Sequence, residues 1–203
     1  VDSTPNNGIP LEDDQTTLTQ HINVAPVLNN AGNPTLDGVS VYQPEALNLG
    51  TSIMDIISRM GPAGGITDAD VGAQQGIAVN GAATTNGRWQ FSINSGANWT
   101  NLGSPNNDTA RLLAADGNTR IRFLPNVGFK GSAQFWFVAW DRTAGTNGGT
   151  GVTKFRTDVS PFSVAIEIAS IAVTNAAPVL TPSNSSFLNS ISNSTTDAAN
   201  TGT

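Results

Sequence analysis

Short runs in which apolar and polar residues alternate restrict the fold of this chain more than any other feature. The clearest are GRWQFSI (87–93), TRIRFLP (119–125) and SAQFWFVAW (132–140), each followed by a segment rich in glycine and asparagine. A period of two places successive side chains on opposite faces of a strand, and the intervening clusters mark turns. In 132–140 both faces carry large apolar residues, which predicts a strand buried on both sides. The runs together predict an all-β fold, a Greek-key antiparallel β-sandwich.

One segment, TSIMDIISRMG (51–61), has a different period. Its apolar residues recur at intervals of three and four, the spacing that forms one face of a helix. Thr51 or Ser52 can cap the N-terminus of such a helix, and Gly61 can end it. The sequence therefore predicts one short helix near 52–60 within the β-sandwich.

The chain also contains an internal repeat. NVAPVL at 23–28 recurs as NAAPVL at 175–180, an offset of 152 residues. At the same offset, LDGVS (36–40) corresponds to LNSIS (188–192). Agreement of separate segments at one offset indicates a tandem repeat whose period is one whole domain.

The repeat divides the chain into three parts. Residues 1–24 are predicted to be the last strand of a preceding repeat or an N-terminal extension. Residues 25–176 form one complete sandwich domain, and 177–203 form the first strand of a following repeat or a C-terminal donor segment. Pro26 and Pro178 lie in the two linkers, where a fixed φ restricts bending.

Composition and charge narrow the classes of partner. The chain is acidic, with a formal net charge of −6 and only two lysines. Such a chain cannot neutralise the charge of a nucleic-acid backbone or of an anionic membrane. Its negative charge favours the binding of cations instead. It has no cysteine and one histidine, which argues against disulfides, zinc and a histidine-based triad. We therefore expect no nucleic-acid partner and no membrane insertion.

The stretch FSINSGANW (91–99) raises the question of an enzyme. Ser92, Asn94, Gly96 and Trp99 have the spacing Ser-x-Asp-x-Gly-x-x-Trp, with Asn in place of Asp, and this resembles the Asp-box hairpin of sialidases. Asn94 can form an Asx turn, Gly96 can take a positive φ, and Trp99 can fold over the turn. A sialidase propeller would carry several such hairpins, whereas this one occurs once. We predict a structural hairpin and a protein that is not an enzyme.

A longer window matches the motif order of a known family. Residues 66–145 contain, in order, Asp-Ala-Asp, Gly-Ile-Ala, Gly-Arg-Trp-Gln, the Asp-box-like hairpin, Leu-Leu-Ala-Ala-Asp, Arg-Phe-Leu-Pro and Ala-Trp-Asp. This order resembles the cadherin-like tandem repeats of large bacterial surface and RTX-type adhesin proteins. The resemblance covers roughly 23–180 and implies an Ig- and cadherin-like sandwich. It also implies a non-catalytic extracellular stalk that often binds calcium.

The resemblance suggests a calcium site as well. It groups Glu45, Asp68, Asp70 and Asp141 into one cluster, since calcium takes several oxygen ligands, most often from carboxylates. The alternative is that these carboxylates cap turns or form ion pairs, for example with Arg142. At both linkers the aspartate that follows asparagine in the family is replaced, by Val24 and Ala176, which argues against calcium held between domains.

Two functions follow from these patterns. The first is a structural repeat of an extracellular fibre, stalk or filament at a bacterial cell surface, with copies of itself or adjacent repeats as partners. Residues 178–203 repeat the first strands of the domain, so they can add to a sheet edge of the next copy and form a filament. The second is a carbohydrate- or protein-binding adhesin module that contacts host or matrix glycans through the polar loop 141–161. The four tryptophans are expected in the core.

Overall fold

The computed structural model describes residues 22–61 and 65–175 of the chain. Of the predicted outer segments 1–24 and 177–203, residues 1–21 and the whole of 177–203 lie outside the described residues, as does Ala176. Across the described part the chain forms twelve β-strands and one short α-helix. The prediction of an all-β fold with one short helix near 52–60 is confirmed. The elements are β1 (Val27–Asn29), β2 (Val39–Ser40), β3 (Thr51–Ser52), α1 (Ile53–Ser58), β4 (Gly65–Thr67), β5 (Gly76–Ala82), β6 (Gly87–Ser92), β7 (Thr100–Asn101), β8 (Ala110–Ala114), β9 (Arg120–Pro125), β10 (Gly131–Trp140), β11 (Thr150–Gly151) and β12 (Glu167–Thr174).

The larger sheet has six strands in the order β11–β8–β5–β10–β12–β2. β10 lies inside this sheet and is antiparallel to both neighbours, with Phe137 opposite Val79 on β5 and Glu167 on β12. At the end of β10, Trp140 lies opposite Gly76, the first residue of β5. This register brings the loop before β5 and the loop after β10 to the same end of the sheet.

The smaller sheet has four strands in the order β3–β9–β6–β7. Its centre is the antiparallel pair β6–β9, in which Trp89 lies opposite Phe123. A third, two-stranded sheet is formed by β1 and β4. The two larger sheets face each other across an apolar core, which gives the molecule the layered character of a β-sandwich.

Aromatic side chains join the two larger sheets. The Trp89 ring lies 4.9 Å from the ring of Phe123 in its own sheet and 5.1 Å from that of Phe135 on β10. The predicted alternation is therefore confirmed, because Trp89, Phe123, Phe135 and Phe137 all point into this core. Edge-to-face contacts between such rings add to the free energy gained by burial.

The opposite face of β10 is also buried, as its sequence predicts. Val138 and Trp140 belong to a second apolar cluster with Leu112 and Phe162. Phe162 belongs to the segment between β11 and β12, which returns to the sheet where the backbone N–H of Ser163 donates to the carbonyl of Ala139 at 3.1 Å. This segment shields the strand from water on its second face.

The helix begins where the sequence predicts. The Ser52 hydroxyl accepts a hydrogen bond from the backbone N–H of Asp55 at 3.0 Å, which satisfies a free donor of the first turn. Ile53, Ile56 and Met60 are buried in the main core. No helix within residues 22–61 and 65–175 has the length and apolar character needed to cross a membrane.

The first part of the domain runs parallel to its last strand. The backbone N–H of Ser170 donates to the Pro34 carbonyl at 3.0 Å, and Leu36 N–H donates to the Ser170 carbonyl at 2.8 Å. Further along, Val41 N–H donates to the Thr174 carbonyl at 2.9 Å. Segment 34–41 therefore covers the free edge of β12.

The chain leaves the larger sheet at the end opposite to Trp140. Because β12 is antiparallel to β10, its last residues lie beside Gly131, the first residue of β10. A strand rises about 3.3 Å per residue, so the ten residues of β10 span roughly 30 Å. The two ends of this sheet are thus separated by about the length of β10.

Candidate functional site

The four carboxylates predicted to bind calcium do not come together. Glu45 lies in a 3-10 turn and forms ion pairs with Arg122 at 2.6 Å and Arg88 at 3.2 Å. Among residues 22–61 and 65–175, no group of three or more histidine, cysteine, aspartate or glutamate side chains is arranged to hold a metal. The four-residue cluster is therefore not formed as the resemblance suggests.

Two of the four carboxylates do share a pocket. Asp70 and Asp141 line a cavity of about 300 Å³ between the loop 70–74 and the residues that follow β10. The sheet register explains their proximity, since Asp141 directly follows Trp140 and the Asp70 loop leads into Gly76, the residue opposite Trp140. Asp141 is buried, with only 3% of its surface exposed.

The first described residues of the chain bind to these two carboxylates. The Asn23 side-chain amide donates to Asp141 Oδ2 at 2.9 Å, and the backbone N–H of Val24 donates to Asp70 Oδ2 at 2.9 Å. Ala25 N–H then donates to the carbonyl of Asp158 at 2.7 Å. We call this end of the larger sheet, with Asn23, Val24, Asp70 and Asp141, the linker pole. Three consecutive linker residues are therefore fixed to the domain.

One buried oxygen of the linker pole, and one of the nearby residue Asp68, have no hydrogen-bond donor. Within the described part of the chain, Asn23 Oδ1 and Asp68 Oδ2 are both buried and without a hydrogen bond. The other oxygen of Asp68 accepts from the backbone N–H of Asp70 at 2.9 Å, and Asp141 Oδ1 accepts from the hydroxyl of Thr143 at 2.6 Å. A buried oxygen with no donor is costly, and hard cations bind to such oxygens. The linker pole thus supplies two carboxylates and one amide oxygen without a donor, which is fewer carboxylates than the predicted cluster of four.

Asn23 is not among the site residues predicted from the sequence. Its carboxylate partner Asp141 lies 118 positions further along the chain, so no local pattern could reveal the contact. One signal was available, because Asn23 begins the repeated linker and recurs at Asn175. A residue repeated at a domain boundary is a reasonable candidate for a contact that joins the linker to the domain.

The Asp-box-like segment forms the predicted turn. The Ser92 hydroxyl accepts from the backbone N–H of Gly96 at 2.9 Å, and Asn94 Oδ1 accepts from that of Asn98 at 3.0 Å. Gly96 has a φ of 89°, and the Trp99 ring lies beside it. The motif closes a hairpin between β6 and β7, and its side chains are occupied in holding the turn.

A buried arginine ties this hairpin to Glu45. Arg122 is 4% exposed, and its guanidinium lies 4.1 Å from the centre of the Trp99 ring. It donates to Gln90 Oε1 through Nε at 2.9 Å and to Glu45 Oε1 through Nη2 at 2.6 Å. Burial lowers the pKa of Arg122, while the charge of Glu45 raises it and that of Arg88 lowers it. This network joins three parts of the smaller sheet and stabilises the fold.

The tryptophans are distributed between core and boundary. Trp89 and Trp140 are buried, as predicted, while Trp99 and Trp136 are half-buried. No protein-family model, no curated protein and no solved structure matches this chain, so the likeness to cadherin-like repeats is carried by the sequence motifs.

Proposed function

We propose that this domain is a non-catalytic structural repeat of an extracellular fibre or stalk at a bacterial cell surface, with the Greek-key topology of Ig- and cadherin-like sandwiches. One observation carries the proposal. The linker is fixed at the end of the larger sheet where β10 stops, and the chain leaves β12 at the opposite end. Domains connected in this way extend in a line rather than folding back on each other.

The repeated linker supports the same arrangement. Its second copy begins at Asn175, directly after β12 ends at Thr174. In a tandem array, Asn175 corresponds to Asn23 of the following domain, and Asn23 is held by Asp141. The last strand of one repeat would then be joined to the linker pole of the next repeat with no intervening residue. A connection this short leaves little freedom between neighbours.

Calcium at the linker pole is part of the proposal. Asp70 and Asp141 would supply the charge, and Asn23 Oδ1 is a buried oxygen that lacks a donor. A cation bound there would screen two carboxylates and hold the linker more firmly against the domain. Such a site lies within one domain and includes its own linker, so it does not need the aspartate that Val24 replaces.

A protein in which residues 23–174 are duplicated between the native ends tests the stalk proposal. We expect small-angle X-ray scattering to give a maximum dimension about 30 Å or more beyond that of the single chain, because the second domain adds at least the length of β10. Changing Asn23→Ala in the second copy should broaden the distribution of interatomic distances. The matched control is Asn98→Ala in the same copy, since Asn98 is an exposed asparagine away from the linker. A duplicated protein no longer than the single chain would contradict the proposal.

A further inference from the structure

A second pocket lies between the Asp-box-like hairpin and the loop after β10. Its volume is about 300 Å³, and its walls include Phe91, Ile93, Asn94, Asn98, Arg111 and Asn147. This size is at the lower end of pockets that hold small molecules. The residues that line this pocket are different from those of the linker pole, and the pocket takes no part in the stalk geometry described above.

The alternation of side chains along β8 explains why a positively charged side chain, that of Arg111, lies in this pocket. On β8, Ala110, Leu112 and Ala114 point into the second apolar cluster, the one that contains Val138, Trp140 and Phe162. Arg111 and Leu113 therefore point to the opposite face, toward the smaller sheet. There the Arg111 guanidinium carbon lies 5.0 Å from the centre of the Phe91 ring. An arginine thus occupies an inward-facing position at the margin between the two sheets.

Half of the Arg111 guanidinium is unused. Its Nη1 donates to the carbonyls of Gly148 at 2.7 Å and Gly149 at 3.4 Å, which fixes the side chain. Its Nε is buried and has no acceptor within the described part of the chain. Burial also lowers the pKa of Arg111, although an arginine remains charged at neutral pH. The fixed guanidinium therefore retains a buried donor that no described acceptor satisfies.

Several other cations of the domain have acidic partners. Arg59 is paired with Asp37, Lys154 with Asp108, and Arg122 with Glu45. No carboxylate of the described residues lies within ion-pair distance of Arg111. The Nη2 group of Arg111 makes no hydrogen bond to the described residues and is not buried, so it is the part of the guanidinium that suits an anionic group from outside.

The remaining walls of the pocket suit the rest of such a ligand. Ile93 is 48% exposed and offers an apolar surface, next to the mostly buried ring of Phe91. Asn94 uses its Oδ1 within the turn, and the Asn98 side chain is exposed. The amide groups of both residues can bind hydroxyls. Asn147 accepts from Ala114 N–H at 3.0 Å and donates to Thr119 Oγ1 at 2.7 Å, which holds the loop that closes one side.

We propose that this pocket binds an acidic saccharide, with the sugar carboxylate on Arg111 and the ring between Ile93 and the asparagine amides. A sugar acid combines an anionic group, hydroxyls and an apolar ring face, and the pocket offers a partner for each. The proposal does not depend on the stalk function, because a stalk with or without this pocket has the same geometry.

The test is a titration of the 203-residue chain with trigalacturonate, followed by the NMR signals of the asparagine amides and the arginine Nε–H. We expect shifts of the Arg111, Asn94 and Asn98 signals, and weaker or no shifts with the uncharged methyl ester of the same trisaccharide. Arg111→Gln should reduce affinity about tenfold or more, because one charge-assisted contact is lost. Arg156→Gln is the matched control, since Arg156 carries the same charge and donates to the Thr153 carbonyl rather than lining this pocket.

Ile93→Glu provides a second variant that leaves Arg111 in place. It adds a negative charge at an exposed position beside the pocket, so it should also reduce the affinity for trigalacturonate. If Arg111→Gln fails to fold, the affinity of Ile93→Glu tests the proposal in its place. Equal binding of the ester, or an equal loss in Arg156→Gln, would overturn recognition of the carboxylate. If acetate shifts the same signals as strongly as trigalacturonate does, the pocket recognises a carboxylate alone and the assignment of a saccharide ligand is wrong. If trigalacturonate shifts none of these signals, the whole proposal is wrong.

Discussion

Arg122 and Asn23 are both polar residues held within the fold, and their surroundings differ. Arg122 donates to Gln90, to the Glu45 carboxylate and to two backbone carbonyls, so its burial is compensated. The side-chain amide of Asn23 donates to Asp141, while the side-chain oxygen Oδ1 of Asn23 is buried without a donor. A satisfied group stabilises the fold, whereas an unsatisfied one marks a place where a ligand can contribute.

Calcium should stabilise the chain through the linker pole. We expect 10 mM Ca²⁺ to raise the free energy of unfolding by about 1–3 kcal/mol relative to chelator, as for a site with the affinity typical of extracellular modules. Asp141→Asn should abolish the difference, because it removes one of the two charges. Asp55→Asn is the control, since Asp55 is an exposed helix residue away from the linker pole. Thermal unfolding measures the effect, and a calcium response that survives Asp141→Asn would exclude this site.

At the scale of elements, close backbone contacts fix the pairing of the short strands. Gly50 precedes β3 with a φ of 63°, and a Cβ there would lie 2.7 Å from the Ile121 carbonyl oxygen and 2.8 Å from the Trp99 ring. Gly128 also has a positive φ, of 80°, but a Cβ at that position would meet no atom within 4 Å. Both glycines therefore have a positive φ, but only Gly50 has neighbouring atoms that a Cβ would contact.

Gly50→Ala should therefore destabilise the domain more than Gly128→Ala. Both changes strain a left-handed backbone, and only the first forces a backbone contact, so we expect an additional loss of about 1–3 kcal/mol. Urea unfolding of the two variants measures the difference directly. Equal losses would mean that β3 shifts freely and that its contact with β9 contributes little.

Strands with large alternating side chains could be predicted from sequence, and the shortest ones could not. β6, β9 and β10 lie within one residue of their predicted bounds, because burial on the core face dictates their period. β7 and β11 are two residues long and exist because a neighbour offers a backbone partner. No local sequence pattern carries that information.

The candidate site was predicted in part for the same reason. The sequence predicts both Asp70 and Asp141, and they share a pocket because Asp141 directly follows β10 and the Asp70 loop leads into β5, whose register with β10 is set by the core. The resemblance groups Glu45 with them, but Glu45 pairs with Arg122, which is 77 positions away in sequence. Its partner depends on the packing of the 3-10 turn against β9, which a motif comparison does not include.

At the scale of the whole molecule, assembly by strand addition is a distinct proposal with a prediction of its own. The free edge of β12 is covered by segment 34–41, so an added strand from another copy would have to displace it. If strand addition builds a filament, light scattering of the full chain should show growth beyond 21.0 kDa, and deletion of 178–203 should return monomers. Growth that persists after the deletion, or a full chain that stays monomeric, would contradict strand addition.

The parallel pairing of segment 34–41 with β12 determines how the domain would bear mechanical load. Tension applied at the two ends of the chain would pull segment 34–41 toward the linker pole and β12 in the opposite direction. The hydrogen bonds at Pro34, Leu36 and Val41 lie across that direction, so they would be loaded in shear and would resist together rather than opening one after another. A domain built in this way would transmit force along its length while keeping its fold.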